Sequence, residues 1–155
     1  MKFIILLTIV FSCVIIDVRK VETAIVTEEL RLIAFIKHNS SLTTKEAKYL
    51  ADEFIKHGSA RAKWLAATAK VESDFTSTAV GTSGERSMFQ ILKWPQGKDP
   101  NDVSVAILEA LKVKREKELT WKDNKFKALQ AYNGNPKLKQ TKLYAMKIQN
   151  YMRYM

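Results

Sequence analysis

At 155 residues the chain has room for one domain and not for several. Its 46% hydrophobic residues exclude a disordered, coreless polypeptide. A formal net charge of +10 excludes an acidic solvating protein and predicts an anionic partner surface: nucleic acid, membrane headgroups or a cell-wall polymer.

The first segment, "MKFIILLTIVFSCVII", places Lys2 before an apolar run from Phe3 to Ile16. That run is about 21 Å long as a helix, short of the ~30 Å hydrocarbon core of a bilayer. It reads as the h-region of an export signal. "VETA" offers a cleavage site at Ala24, marred by Glu22, and "VFSC" resembles a lipobox ending at Cys13. Residues 1–24 are therefore expected to be a signal peptide or N-terminal membrane anchor, and residues 25–155 the working domain. The alternative is a buried N-terminal helix. Cys13 is the only cysteine, so one chain holds no disulfide and no cysteine-based metal site.

Helical periodicity follows almost throughout. Residues 27–38 place Leu30, Ile33 and Ala34 on one side. Thr43 with Glu46 makes a capping-box pattern for a helix carrying Ala47, Leu50, Ala51, Phe54 and Ile55, stopped by Gly58. A third helix is expected from Ala60 to Phe75. The polar, Gly/Pro-containing stretch Thr76–Pro100 reads as a working loop, with at most one short helix near Met88–Trp94. Asn101 or Asp102 is expected to cap a helix with the stripe Val103, Ala106, Ile107, Ala110 and Leu111. Its basic continuation, "KVKREKE", reads as a solvated face, one that also suits an anionic wall or membrane. Thr120 with Asp123 predicts another N-terminus, leading to Ala128, Leu129 and Tyr132 on one face and a stop at Gly134 and Pro136. A last helix carries Tyr144, Ile148, Tyr151 and Met152. No alternating strand pattern of useful length occurs, so the expected class is all-α.

One residue breaks the pattern. On a helical wheel Lys63, Lys70 and Asp74 share one side of the third helix, while Leu65, Ala69 and Glu72 follow the opposite, apolar side. A carboxylate there loses hydration, and its pKa rises toward that of a general acid working at neutral pH. The other reading is a helix-end glutamate that swings out to water.

The neighbouring residues bear on that choice. Glu72-Ser73-Asp74-Phe75, then Ala79-Val80-Gly81 and Gly84-Glu85-Arg86-Ser87-Met88-Phe89-Gln90-Ile91, then Ala131-Tyr132-Asn133-Gly134, stand in order along the chain. The sequence resembles the catalytic domain of the soluble lytic transglycosylase family, within the lysozyme-like superfamily. That family carries Glu-Ser-x-Phe, Ala-Val-Ser, Gly-Ala-x-Gly-Leu-Met-Gln-Ile and Ala-Tyr-Asn-x-Gly. The resemblance runs from about Leu42 to the C-terminus. It departs at Glu85, where the family has a small residue, and at Ser87, where it has glycine.

The resemblance implies a lysozyme-like helical domain with a long active-site loop. It also implies peptidoglycan glycan strands as substrate and cleavage between N-acetylmuramic acid and N-acetylglucosamine to leave a 1,6-anhydromuramic end. Glu72 would be the catalytic acid and base. Tyr132 would orient it, and Ser73, Ser87, Met88, Gln90, Asn133 and Tyr144 would bind or flank the sugar. For most of these a plainer role stands beside the functional one: core packing for Tyr132, Met88, Phe89 and Tyr144, turn-making for Gln90 and Asn133, helix-end support for Ser73. Trp64, Trp94 and Trp121 read as sugar platforms or as core.

Ordinary glycosidases use two carboxylates. Here Glu72 is the one good candidate, with Glu85 and Asp99 in the loop as further possibilities. His38 and His57 lack partners at ligand spacing, so no metal site and no cofactor are expected. Three readings compete. The first is an exported lytic transglycosylase of the envelope or periplasm, serving a secretion, conjugation or phage machine and touching membrane only through its leader. The second is a goose-type-like lysozyme that hydrolyses the same bond. The third is a wall-binding assembly protein without catalysis. A nucleic-acid partner is disfavoured by the export signal and the Glu-Ser motif.

Overall fold

The computed structural model describes residues 26–155. The expected leader, including Cys13, lies outside them. Six helices make up the described part: α1 (26–38), α2 (Thr44–Ile55), α3 (Ser59–Ser73), α4 (Val103–Thr120), α5 (Lys125–Tyr132) and α6 (Lys139–Tyr154). The only extended pairing among the described residues is two isolated bridges, Val80 with Arg86 and Arg86 with Ile91. The expectation of an all-α chain is met.

Local chemistry sets several boundaries as expected. Thr43 and Glu46 form a reciprocal capping box at α2, a motif whose cap alone contributes about 1 kcal/mol. Asp102 caps α4 by accepting from the amides of Ser104 and Val105, at 2.9 and 3.2 Å. Other boundaries differ. Asn124, and neither Thr120 nor Asp123, caps α5, accepting from Lys127 N–H at 2.9 Å. Gly58 does more than stop α2. At φ +88° it turns the chain straight into α3 as that helix's N-cap, leaving only a three-residue connection.

Helix α3 is the centre of the domain, packed between α2 and α6; α4 packs on α5 and α2, and α5 on α6. Ala62, Trp64, Leu65, Ala66, Ala67, Thr68 and Ala69 are all buried. The one-sided stripe expected for this helix is thus only half the picture. Its alanines let neighbouring helices approach closely along Trp64–Ala69, while Lys63 and Lys70 stay half-exposed at the edge of that buried stretch.

The α1 register also differs. Leu32, Phe35 and Ile36 face the core, whereas Leu30 is 60% exposed and Ala34 is exposed. Phe35 decides the register, because its ring meets Phe75 and Tyr151 edge-on at 6.3 and 5.5 Å. The stripe expected for α6 is found, with Tyr144 and Ile148 buried and Tyr151 and Met152 packed against the core.

The loop after α3 holds no helix near Met88–Trp94. Ser87 and Gln90 stand at φ +70° and +48°, which breaks any helical run. A tight turn forms instead, in which Ser87 C=O accepts from the Gln90 backbone N–H at 3.1 Å and from its side-chain amide at 2.9 Å. The turn drives Met88 and Phe89 into the core, where Phe89 lies against Phe54 at 6.2 Å.

Candidate active site

Glu72 is one residue from the end of α3, and the way that helix stops aims it. Asp74 and Phe75 both take left-handed conformations, φ +52° and +65°, with Phe75 N–H bonded back to Ala69 C=O at 3.2 Å and Asp74 N–H to Lys70 C=O at 3.3 Å. Two consecutive non-glycine residues in this region store strain. The burial of Phe75 against Phe35 holds them there, and the Lys70–Asp74 ion pair spans the last turn.

Ser73 ties this helix end to the loop. Its hydroxyl donates to Met88 C=O at 2.9 Å and accepts from Thr76 N–H at 3.1 Å. From there the chain folds back on itself, with Gly81 N–H on Glu85 C=O and reciprocal Arg86–Ile91 amide bonds. A Cβ on Gly81 would lie 2.3 Å from Glu85 Oε2 and 2.7 Å from Gln90 Oε1. Glycine at this position is what allows the Glu85 carboxylate and the Gln90 amide to converge. Ser83 N–H fixes the carboxylate at 3.0 Å.

Glu72 opens into a groove of about 670 Å³. One wall is the loop, with Gly81, Thr82, Glu85 and Gln90 through Lys93. The facing wall is α4, with Glu109, Lys112, Val113, Glu116 and Lys117 at three- and four-residue spacing along one stripe. The end of α5 closes the groove with Tyr132, Asn133 and Gly134. The "KVKREKE" run is thus a groove wall on one side and solvated only on the other.

Burial drives the Glu72 carboxyl up from an ordinary value near 4.5 to about 7. Within that net rise the nearby Tyr144 phenol pulls the other way, and the negative charge of Glu85 adds a smaller push upward. Tyr144 lies beside Glu72 and Thr68 beside Tyr144, and both hydroxyls are buried without a hydrogen bond of ordinary geometry. Tyr144 thus stands close enough to favour the charged carboxyl while making no well-formed bond to it. A carboxyl poised near neutrality in an open groove is able to give a proton and take it back.

Of the residues singled out from the sequence, Glu72, Gln90, Tyr132 and Asn133 meet at the groove. Four others do not line it. Ser87 and Met88 are 1% exposed, because the turn they belong to points inward. Ser73 braces the loop from behind. Tyr144, 6% exposed, stands behind the carboxyl. Tyr132 was expected to hydrogen-bond Glu72, but its hydroxyl donates to Phe89 C=O at 3.3 Å, with its ring edge-on to Trp64 at 5.4 Å. The phenol that influences Glu72 through a polar contact is Tyr144. None of the three tryptophans lines the groove.

Sequence reasoning missed Gly81 and the α4 wall. The wall had a signal, since 109, 112, 113, 116 and 117 fall on one helical face.

Among the described residues, no three of His, Cys, Asp and Glu come together to hold a metal ion, and no helix is long and apolar enough to cross a membrane. No family model matches the chain, and neither does any curated protein or solved structure.

Proposed function

We propose that this chain is a lysozyme-like, peptidoglycan-cleaving enzyme of the lytic transglycosylase type, exported to the cell envelope, with Glu72 as its acid and base. The observation that carries the reading is the Glu72 carboxyl, held near pKa 7 by burial at the floor of a groove of about 670 Å³. That volume falls in the usual range for ligand clefts, about 300–1,000 Å³. The order of the Glu-Ser-x-Phe segment, the Gly84–Ile91 segment ending in Gln-Ile, and the Ala-Tyr-Asn segment supports the same reading, as does the net charge of +10, which suits an anionic wall. A small enzyme of this kind would open the wall for a secretion, conjugation or phage machine.

Protonated Glu72 gives its proton to the glycosidic oxygen as the bond to the anomeric carbon breaks. The substrate's own acetamide shields the positive charge that develops. The Glu72 carboxylate then takes the proton of the C6 hydroxyl, whose oxygen bonds to the anomeric carbon. Glu72 ends protonated again, and no water is consumed. The tethered hydroxyl supplies the proximity. Gln90 and Asn133 offer donors and acceptors suited to sugar hydroxyls and acetamides.

The test is mass spectrometry of fragments released from purified peptidoglycan. Anhydromuramic ends are expected, and a folded Glu72→Gln variant should release none. Wild-type turnover by that variant would falsify the assignment.

A second reading, hydrolysis of the same bond, is favoured by one observation: Glu85 reaches into the groove over Gly81 and its charge is felt at Glu72. A second carboxylate there would hold a water. Digestion in heavy-oxygen water separates the two. Label at the new sugar end with the wild type, lost in Glu85→Ala, would name hydrolysis.

A further inference from the structure

The positive charge of this chain is unevenly spread. Residues 26–120 carry fifteen Lys or Arg against thirteen acids, whereas residues 121–155 carry eight against one, Asp123. Every ion pair among the described residues lies between Glu29 and Glu118. Helix α6 and the turn before it hold Lys137, Lys139, Lys142, Lys147 and Arg153, and no acid pairs with any of them. The elements packed against α6 leave none to spare. Helix α5 has no acid, Asp74 at the end of α3 pairs with Lys70, and Glu72 faces the groove. On α1, Glu28 and Glu29 meet Ser59 and Lys48. Cations alone would fit any polyanion, but apolar side chains stand among these. Leu143 and Met146 are each 51% exposed and Tyr154 is 78% exposed. At about 3.6 residues per turn they share one outward strip, with Lys139 and Lys147 beside it and Lys142 and Arg153 along one flank. No α6 residue lines the groove.

We infer that the outer face of α6 docks the folded domain on an anionic phospholipid bilayer. The lysines and Arg153 meet the headgroups, while Leu143, Met146 and Tyr154 enter the boundary between headgroups and acyl chains, where an aromatic ring with a polar tip is favoured. The helix is about 24 Å long and lies along the surface without crossing it. The sequence assigns membrane contact to the leader alone; this face gives the domain a contact of its own and uses no residue of the groove. A nucleic acid or another soluble polyanion would engage the cations and leave the apolar strip without a role. The inference does not depend on the reaction proposed for Glu72.

The experiment is co-sedimentation of the full chain with vesicles of phosphatidylcholine alone and of phosphatidylcholine mixed with phosphatidylglycerol, beside a titration with duplex DNA as a soluble polyanion. The leader is common to every protein compared, so differences among variants report the folded domain. The wild type should bind the mixed vesicles more tightly than the neutral ones. Lys142→Gln with Lys147→Gln should weaken that binding about twentyfold, at about fivefold for each cation near the surface. Leu143→Ser with Met146→Ser should weaken it about tenfold and leave the affinity for DNA unchanged. Lys45→Gln with Arg115→Gln removes the same charge from exposed positions on α2 and α4 and should leave vesicle binding within about twofold of the wild type. All six side chains are exposed, so the thermal midpoints of the three variants should stay together. Equal binding to the two kinds of vesicle, or an equal loss in the Lys45/Arg115 pair, would overturn the docking face. Undiminished vesicle binding by the Leu143/Met146 pair would overturn the lipid and assign the face to a soluble polyanion.

Discussion

The two walls of the groove are built by opposite means. The α4 wall is a regular helix, and its groove residues follow from periodicity once one of them is placed. The loop wall has no periodicity. It depends on Ser87 and Gln90 at positive φ, on a glycine that leaves room for the side-chain tips of Glu85 and Gln90, and on two buried side chains that anchor it. A wall of the first kind tolerates substitution residue by residue. A wall of the second kind stands or falls as a unit, because the strain at each position is held by burial somewhere else.

The sharpest way to break this contrast is to pull an anchor. Phe89→Ala should cost about 3–5 kcal/mol, since the ring is fully buried against Phe54. It should also collapse the loop wall, seen as a large fall in thermal midpoint with loss of turnover. On the facing wall, half-buried Val113→Ala should cost about 1 kcal/mol and leave the loop untouched. Comparable losses from the two would erase the distinction.

The floor between the walls gives the next largest effect. The folded pKa of Glu72, about 7, lies above its ordinary 4.5, so between those values the folded protein keeps a proton that the unfolded chain has released. The stability contribution is full at pH below the ordinary value and is lost as pH rises through about 7. The total is on the order of 3 kcal/mol. Glu72→Gln should therefore match the wild type at pH 4 and melt about 6–12 °C higher at pH 8. Parallel melting curves across that range would refute the burial of this carboxyl.

Gly81→Ala probes the loop wall without touching its anchors. The new methyl displaces the tips of Glu85 and Gln90, which are flexible, so stability should change by less than about 1 kcal/mol. Misplacing two groove groups by an ångström should lower turnover about ten- to a hundredfold. Unchanged turnover would show that neither group meets the substrate. The smallest expected effect is Glu85→Gln. Removing that charge lowers the Glu72 pKa, so the alkaline limb of the activity profile should move to lower pH by a few tenths.

What was legible in the sequence divides along the same line. The capping box at Thr43, the Asp102 cap and the Tyr144/Ile148 stripe are local signals that act within one helix, and they hold. The inward placement of Glu72 was one of two readings the apolar stripe left open, the other being a helix-end side chain swung out to water. The two-sided burial of α3 was not readable, since alanine is too small to mark a face. The α1 register depended on a ring contact with Phe75 and Tyr151 that no spacing reveals. Ser87 and Met88 were drawn toward the groove by resemblance, whereas the positive φ that turns them inward belongs to residues without the usual glycine signature. Tyr132 and Tyr144 exchanged expected roles because hydrogen-bond partners across distant helices are a tertiary property.

The position of α3 between α2 and α6 also has a kinetic side. The α2–α3 pair is joined by three residues and is a local hairpin, quick to form. The α3–α6 contact joins segments far apart in the chain and closes only after the long loop, α4 and α5 have been accommodated. Tyr144 arrives behind Glu72 with that last helix. The proton that the Glu72 carboxyl keeps up to about pH 7 is thus a property of the assembled domain and not of the helix that carries it.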